Sequence, residues 1–279
     1  MNTITSGDGT KIAYDQTGQG PTVILVASAL ADRSGTRKLA AILSERYTVI
    51  NYDRRGRGDS GDSKPYAVER EIEDIDALIT ASGGSAFVFG SSSGAVLALR
   101  AAAAGLDISK LALFEPPFRI DDTAPELPAD YEARLTALIA ADRRSDAVKL
   151  FFSKAVGVPG PLLLLMRFIP GLWSKSMAHA HTLLYDQAVM GDTLAGKPLV
   201  AADWSSVRAE TIVMDGSKSE GWLRDPAQAL VDVLPHATRV TLEGQHHGAV
   251  EMAPKAVAAP LIEFFGADQP ARTSTRVAA

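Results

Sequence analysis

FVFGSSSGAVLALRAAAA, residues 87 to 104, reads in order as an apolar strand, a tight turn bounded by Gly90 and Gly94, and a helix. That context is the one a G-x-S-x-G nucleophile turn requires, with Ser92 at its centre. Gly90 and Gly94 lack the β-carbons that would collide where the chain reverses, so the Ser92 hydroxyl is left exposed on a strained turn. The amide of Ser93, at the start of the following helix, is placed to stabilise a developing oxyanion. A phosphate-binding loop is the rival reading, but no lysine follows the glycines and the G-x-x-x-x-G-K-[ST] spacing is missing. A small-residue turn with no chemistry is the plainest alternative, and the strand–turn–helix context argues against it.

Outward from this turn the same texture repeats. Thr22–Ala27, Tyr47–Tyr52, Ala86–Phe89, Leu111–Phe114, Thr211–Met214 and, more weakly, Thr238–Leu242 are apolar on consecutive positions, as strands covered on both faces are. Alternation over Lys11–Asp15 before the turn material 17–21 predicts an early hairpin or edge strand. Helical spacing appears at Lys38–Leu43, Val68–Ile79, Ala95–Ala104, Pro226–Leu234 and Pro254–Phe265. Alternating strand and helix predicts an α/β fold with a mostly parallel central sheet flanked by helices.

The rhythm breaks between Phe118 and Ser206, where helical patterning continues without a convincing strand: Tyr131–Ala141, Ser145–Val156, Leu162–Met166 and Met177–Met190 read as helices. The expected organisation is therefore a core of residues 1–117 and 207–266, an all-helical cap of 118–206, and a disordered tail of 267–279. No internal repeat is found.

Composition narrows the partners. A net charge of −5, with 46% hydrophobic and 22% charged residues, gives no reason to expect nucleic acid. The longest apolar run, Pro159–Met166, is far short of the roughly 20 residues that span a bilayer, and Arg167 follows at once. No basic region leads into an apolar one in MNTITSGDGTKIAYD, so no secretory signal is expected and the chain is expected to be cytoplasmic. With no cysteine, thiolate chemistry and disulfides are excluded.

Taken with four further segments, the turn around Ser92 resembles that of α/β-hydrolases with a helical cap, over Lys11 to Gly266. Asp53-Arg54-Arg55-Gly56-Arg57-Gly58-Asp59-Ser60 is similar to the D-x-R-G-x-G-x-S loop of that superfamily. Gly244-Gln245-His246-His247 resembles its G-x-x-H segment, which places the catalytic histidine at His247, with His246 the neighbouring alternative. Ala27-Ser28 stands where many members carry His-Gly, and the alignment makes Ala29 the second oxyanion amide beside Ser93.

The usual acid position holds Ser219, which cannot stabilise an imidazolium as a carboxylate does. Glu220 lies one residue later. Other members carry the acid after the strand leading into the cap, which here is Glu115; a carboxylate after a buried strand needs a partner such as His247. Asp215, or no acid at all, completes the alternatives. His179 and His181 have a spacing that two metal ligands use, but no further ligands join them in sequence and they read as cap residues.

The resemblance implies a serine hydrolase acting on a carboxylic ester or related acyl bond, such as a lactone or thioester, of a small and partly apolar substrate. No metal or organic cofactor is required. Dehalogenases and epoxide hydrolases of the superfamily use an aspartate nucleophile, which Ser92 argues against. The same scaffold hosts C–C hydrolases, lyases, haloperoxidase-like enzymes and non-hydrolytic ligand-binding proteins. The apolar residues Leu162–Met166, Phe168, Leu172 and Trp173 point to an apolar substrate part held by the cap. A homodimer formed through the cap is open, with no residue arguing for it.

Overall fold

The computed structural model describes residues 1–266. Its eight strands are β1 (Asn2–Thr5), β2 (Lys11–Thr17), β3 (Thr22–Val26), β4 (Thr48–Tyr52), β5 (Ala86–Ser91), β6 (Ile108–Phe114), β7 (Glu210–Gly216) and β8 (Ala237–Leu242). They form one sheet in the order β1-β2-β4-β3-β5-β6-β7-β8. The first two pairings, β1 with β2 and β2 with β4, are antiparallel; the rest are parallel. The early hairpin is therefore β1 and β2, and the six consecutively apolar segments are the parallel strands. β1 escapes detection as a separate strand because it is short and largely exposed, so burial imposes no apolar pattern on NTIT.

The doubly covered strands divide their side chains between two layers. On one face Ile24, Val88, Leu111 and Val213 pack with helices α2 (Val68–Ala81) and α3 (Ser93–Ala103). Val23, Phe89, Ala112 and Ile212 turn the other way, onto a layer drawn from α1 (Arg37–Leu43) and the C-terminal helix Pro254–Gly266. Burial on both faces is why these strands carry no polar alternation.

Between β6 and β7 the chain runs through α4 (Tyr131–Ala140), α5 (Arg144–Leu150), α6 (Gly160–Met166), α7 (Leu172–Ala178), α8 (Leu183–Met190) and α9 (Ala201–Trp204). A third apolar cluster, with Tyr131, Leu135, Val148, Leu163, Trp173 and Leu183, packs this segment together and reaches Leu30 of the sheet's rim. Two expected helices are subdivided. Ser145–Val156 becomes α5 followed by a π-helical turn over Phe151–Ala155. Met177–Met190 is broken by a 3₁₀ turn at Ala180–Thr182, where the Thr182 amide and hydroxyl both donate to the His179 carbonyl at 2.9 and 2.8 Å. A hydroxyl that competes for a backbone carbonyl tightens the turn locally.

After β7, α10 (Gly221–Val233) begins before Pro226 because Trp222 and Leu223 are buried, which outweighs the hydrogen bond the proline removes. α11 (Ala249–Met252) and α12 (Pro254–Gly266) close the chain. The expected tail 267–279 lies outside the described residues. Among the described residues, no helix is long and apolar enough to cross a membrane.

Candidate active site

The parallel strands deliver the chemistry at their C-terminal ends, where side chains leave the sheet beside helix N-termini. Ser92 stands between β5 and α3 with φ 54° and ψ −126°, and its amide donates to the Phe114 carbonyl at 2.9 Å. The glycines that flank it are required by close contact. A β-carbon on Gly90 would lie 2.4 Å from the Gly94 carbonyl oxygen, and one on Gly94 would lie 2.4 Å from that of Val26. The strain at Ser92 is held by the packed strand and helix on either side.

His247 reaches Ser92 from the loop after β8, its Nε2 lying 3.2 Å from Ser92 Oγ. On the ring's other side Nδ1 lies 2.6 Å from Glu115 Oε2. Glu115 directly follows β6, is wholly buried and has φ 44°. Its second oxygen, Oε1, accepts the Gly216 amide at 2.7 Å. That approach depends on glycine, since a β-carbon there would lie 2.5 Å from the Gln245 carbonyl oxygen. The two hydrogen bonds fix the imidazole tautomer: Nδ1–H donates to the carboxylate, leaving Nε2 to accept the serine proton.

The other candidate acids and histidines lie elsewhere. Glu220 is exposed and accepts the Trp222 indole N–H at 2.9 Å. Asp215 is wholly buried but bonded to Arg224, Arg239 and Thr241. Burial opposes its charge, yet hydrogen bonds from those residues hold its pKa below the ordinary value. Ser219, at the usual acid position, has a buried hydroxyl without a partner. His246 Nδ1 accepts the Gly248 amide at 3.1 Å, and nothing joins it to Ser92. His179 is buried, with Nδ1 3.3 Å from the Leu30 carbonyl and Nε2 accepting the Gly58 amide, while His181 packs edge-on to Tyr185. Among the described residues no group of three or more His, Asp or Glu is placed to hold a metal.

Ser93 opens α3, so its amide is among the first-turn donors that have no intrahelical acceptor. Ala29 sits on the loop after β3, one residue before Leu30, whose φ of 57° marks a sharp bend. Both residues border a cavity that includes Ser92 and His247.

Two hollows meet at Ser92. The larger, about 680 Å³, is bordered by Ser28, Phe151, Phe152, Val156 and Leu172 and opens past Lys38, Lys175, Glu251 and Met252, all exposed. The smaller, about 90 Å³, lies under the helical segment among Pro117, Tyr131, Leu183, Met190, Trp222 and Leu223. Of the apolar residues expected to hold substrate, only Leu172 borders either one. Leu162, Leu164, Leu165 and Phe168 are exposed, and Trp173 packs inside the helical segment. Helical spacing could not tell an outward face from a cavity lining.

The loop Asp53–Ser60 is architectural. Asp53 accepts the Arg33 and Asp59 amides, both at 2.8 Å, and a β-carbon on Gly58 would lie 2.2 Å from its Oδ2. Arg54 is fully buried, paired with Glu71 at 2.7 Å and Asp186 at 2.8 Å. Asp186, on α8, also accepts the Ser93 hydroxyl at 2.8 Å and both Nη2 contacts of Arg57. Burial opposes its charge, but Arg57 and Arg54 hold its pKa below the usual carboxylate range. The residue after the nucleophile is thus tied to the helical segment by a buried carboxylate. Sequence reading missed Asp186, although a lone carboxylate in LLYDQAVM is a signal that a partner waits inside.

A family model, that of the alpha/beta hydrolase family, matches residues 12–259. The structure is similar to an alpha/beta hydrolase from Sphaerobacter thermophilus DSM 20745, with 53% identity and a TM-score of 0.88 over 95% of this chain and 100% of that one. It also resembles a hydrolase from Pseudomonas aeruginosa PA01, with 22% identity and a TM-score of 0.75 over 95% and 98% of the two chains, a likeness of fold. A curated relative from Bacillus subtilis (strain 168), the uncharacterized hydrolase YraK, is 38% identical over 95 residues, which span 33% of this chain and 35% of that protein.

Proposed function

The chain belongs to the alpha/beta hydrolase family, and from that premise we propose that it is a serine hydrolase cleaving a carboxylic ester or related acyl bond through an acyl-enzyme on Ser92. The observation that carries the reading is the unbroken relay from Ser92 Oγ through His247 to Glu115, with contacts of 3.2 and 2.6 Å.

In this reading Ser92 Oγ attacks the carbonyl carbon while His247 Nε2 takes its proton. The amides of Ala29 and Ser93 hold the oxyanion, and Glu115 balances the charge that forms on the imidazole. His247 then returns the proton to the departing alcohol, and a water activated by the same nitrogen releases the acyl group. Helices 118–206 act as a cap over the smaller hollow, and the exposed rim of the larger one is the way in and out. Glu115 replaces the carboxylate missing at Ser219: both strand ends converge on the loop after β8, so either can serve His247.

The test is covalent labelling with a fluorophosphonate, followed by turnover of short p-nitrophenyl esters. Labelling of Ser92, lost in Ser92→Ala together with turnover, is the expected result. A protein that binds esters while Ser92 stays unlabelled would be a ligand-binding protein on this scaffold instead.

A further inference from the structure

Arg119 stands apart from every other buried arginine. Among the described residues four arginines are buried: Arg54, Arg55, Arg57 and Arg119. The first three are paired with Glu71, Asp74, Asp8 or Asp186. Arg119, 7% exposed, has no carboxylate partner among the described residues. Its guanidinium donates from Nη1 to the Pro125 carbonyl and from Nη2 to that of Ala155, the latter at 3.4 Å. These neutral acceptors fix its position, yet five N–H donors in a rigid fork exceed what they satisfy. A buried cation without a counter-charge is costly, and a fold that has paired its other three has a reason to leave one open. Burial draws the guanidinium pKa down, and no carboxylate is among the named groups that oppose this.

The opening faces the nucleophile. Arg119 borders the 90 Å³ hollow that also holds Ser92 and His247. In the same hollow Gln187 has a buried Oε1 with no donor, while its amide nitrogen donates to Glu132 at 3.2 Å. Flipping that amide would set its oxygen against the Glu132 carboxylate, so the free atom facing inward is an acceptor. Asp186, Ser93 and Tyr131 also border this hollow, but Asp186 is already taken up by Arg54, Arg57 and the Ser93 hydroxyl. A fork of donors and an unpaired acceptor among apolar side chains is the pattern of a pocket that orients a polar ligand.

The two hollows have different access. None of the residues around the small one is exposed, whereas the large one opens past exposed side chains. The exposed rim of the larger hollow suits passage of the leaving group and the attacking water. The smaller hollow, beside Arg119, suits the portion that stays bound between the two steps.

We infer that the smaller hollow receives the acyl group, and that Arg119 binds a carboxylate carried on that group. This rests on the reading of Ser92 as the acylated residue. An Arg–carboxylate pair formed there is charge-assisted and bidentate, and it supplies the counter-ion the folded protein lacks. The substrate class is then a half-ester, or a cyclic ester that opens to a dicarboxylic acid derivative.

The experiment compares monomethyl glutarate with methyl pentanoate, which differ only by a carboxylate in place of the terminal methyl of the acyl chain. Proton release at constant pH gives kcat/KM for each. Wild type should prefer the half-ester by about tenfold or more, Arg119→Lys should keep part of that ratio, and Arg119→Met should bring it to about one or below. A ratio near one in wild type, or one unchanged in Arg119→Met, overturns the proposal. Protection gives a second readout: glutarate should slow fluorophosphonate labelling of wild-type Ser92 more than pentanoate does, and not in Arg119→Met. If Ser92 does not label at all, the acyl-enzyme reading fails by itself. Calorimetric titration of glutarate into wild type and Arg119→Met then decides the carboxylate site alone, and equal or undetectable heats in both overturn it.

Discussion

Two carboxylates stand side by side at the ends of neighbouring strands, and they are put to opposite uses. Phe114 of β6 pairs with Met214 of β7, so Glu115 and Asp215 follow in adjacent register, and both are wholly buried. Asp215 is met by two permanent cations: Arg239 Nε at 2.9 Å on one oxygen and Arg224 Nε at 3.0 Å on the other. Glu115 is met by a backbone amide and an imidazole. A carboxylate already neutralised by two guanidiniums has little field left for an imidazolium. One met by a backbone amide and an imidazole has no such pair of guanidiniums beside it among the described residues, and under the proposed mechanism its field is free to act on that imidazole. Burial at a strand end therefore does not distinguish the two carboxylates, and the charge of their partners does.

The comparison breaks most sharply at Glu115. Glu115→Gln keeps the side-chain shape and an acceptor for the Gly216 amide, but it removes the charge and unsettles the His247 tautomer. The expected loss in kcat is ~10³–10⁴-fold, with KM for a p-nitrophenyl ester little changed and the circular dichroism of the fold retained. A loss of only a few-fold would put Glu115 on the same footing as Asp215.

Asp215→Asn should do the reverse: turnover within about threefold of wild type, but lower stability. Its partners Arg224 and Arg239 are 34% and 26% exposed, so solvent screens part of the loss. The discounted cost is about 1–2 kcal/mol, seen as a Tm lower by about 2–8 °C. The pH dependence carries a sign. The folded pKa of Asp215 is depressed, so its contribution is full above the unfolded value of about 3.9 and is lost as pH falls through the folded value. Urea titrations of the two proteins should differ at pH 7, with the gap beginning to close below about pH 4 and vanishing once pH is below the folded value. A gap that widens in acid would mean that Asp215 is held neutral.

Much of this was legible in sequence where burial leaves a pattern. The five strands β3 to β7 announce themselves by continuous apolar runs, while the edge strand β8 shows only a weak one, and the turn around Ser92 is announced by two glycines whose β-carbons have no room. His247 was legible from its place after the last strand. The acid was only half legible, because Glu115 and Asp215 both follow apolar runs and their partners come from residues 9 to 132 positions away. The inward placement of Arg119 was not legible, and for Asp186 the sequence showed a lone carboxylate in an apolar run but not its partners. Nothing in Pro117-Phe118-Arg119 shows that the guanidinium turns inward, and the link of Asp186 to Ser93 exists only once α8 is laid over α3. The helical segment was hardest for the same reason: its apolar residues divide between an interior cluster, a cavity wall and an exposed face, and spacing is alike in all three.

Glu220 supplies the finest division of the comparison, because it lies on the loop that follows the strand of Asp215 yet is exposed rather than buried. Its carboxylate accepts the indole N–H of Trp222 at 2.9 Å, and Trp222 borders the smaller hollow beside Ser92. Glu220→Ala frees an indole that water can satisfy, so stability should change by less than about 0.5 kcal/mol. Any kinetic effect must pass through the position of the Trp222 ring and so should appear in KM, by about threefold or less, with kcat and its pH profile unmoved. Loss in kcat comparable to that of Glu115→Gln would mean that the loop after β7 swings its carboxylate onto His247 during turnover. The acid would then be shared between two strand ends, not assigned to one by the charge of its neighbours.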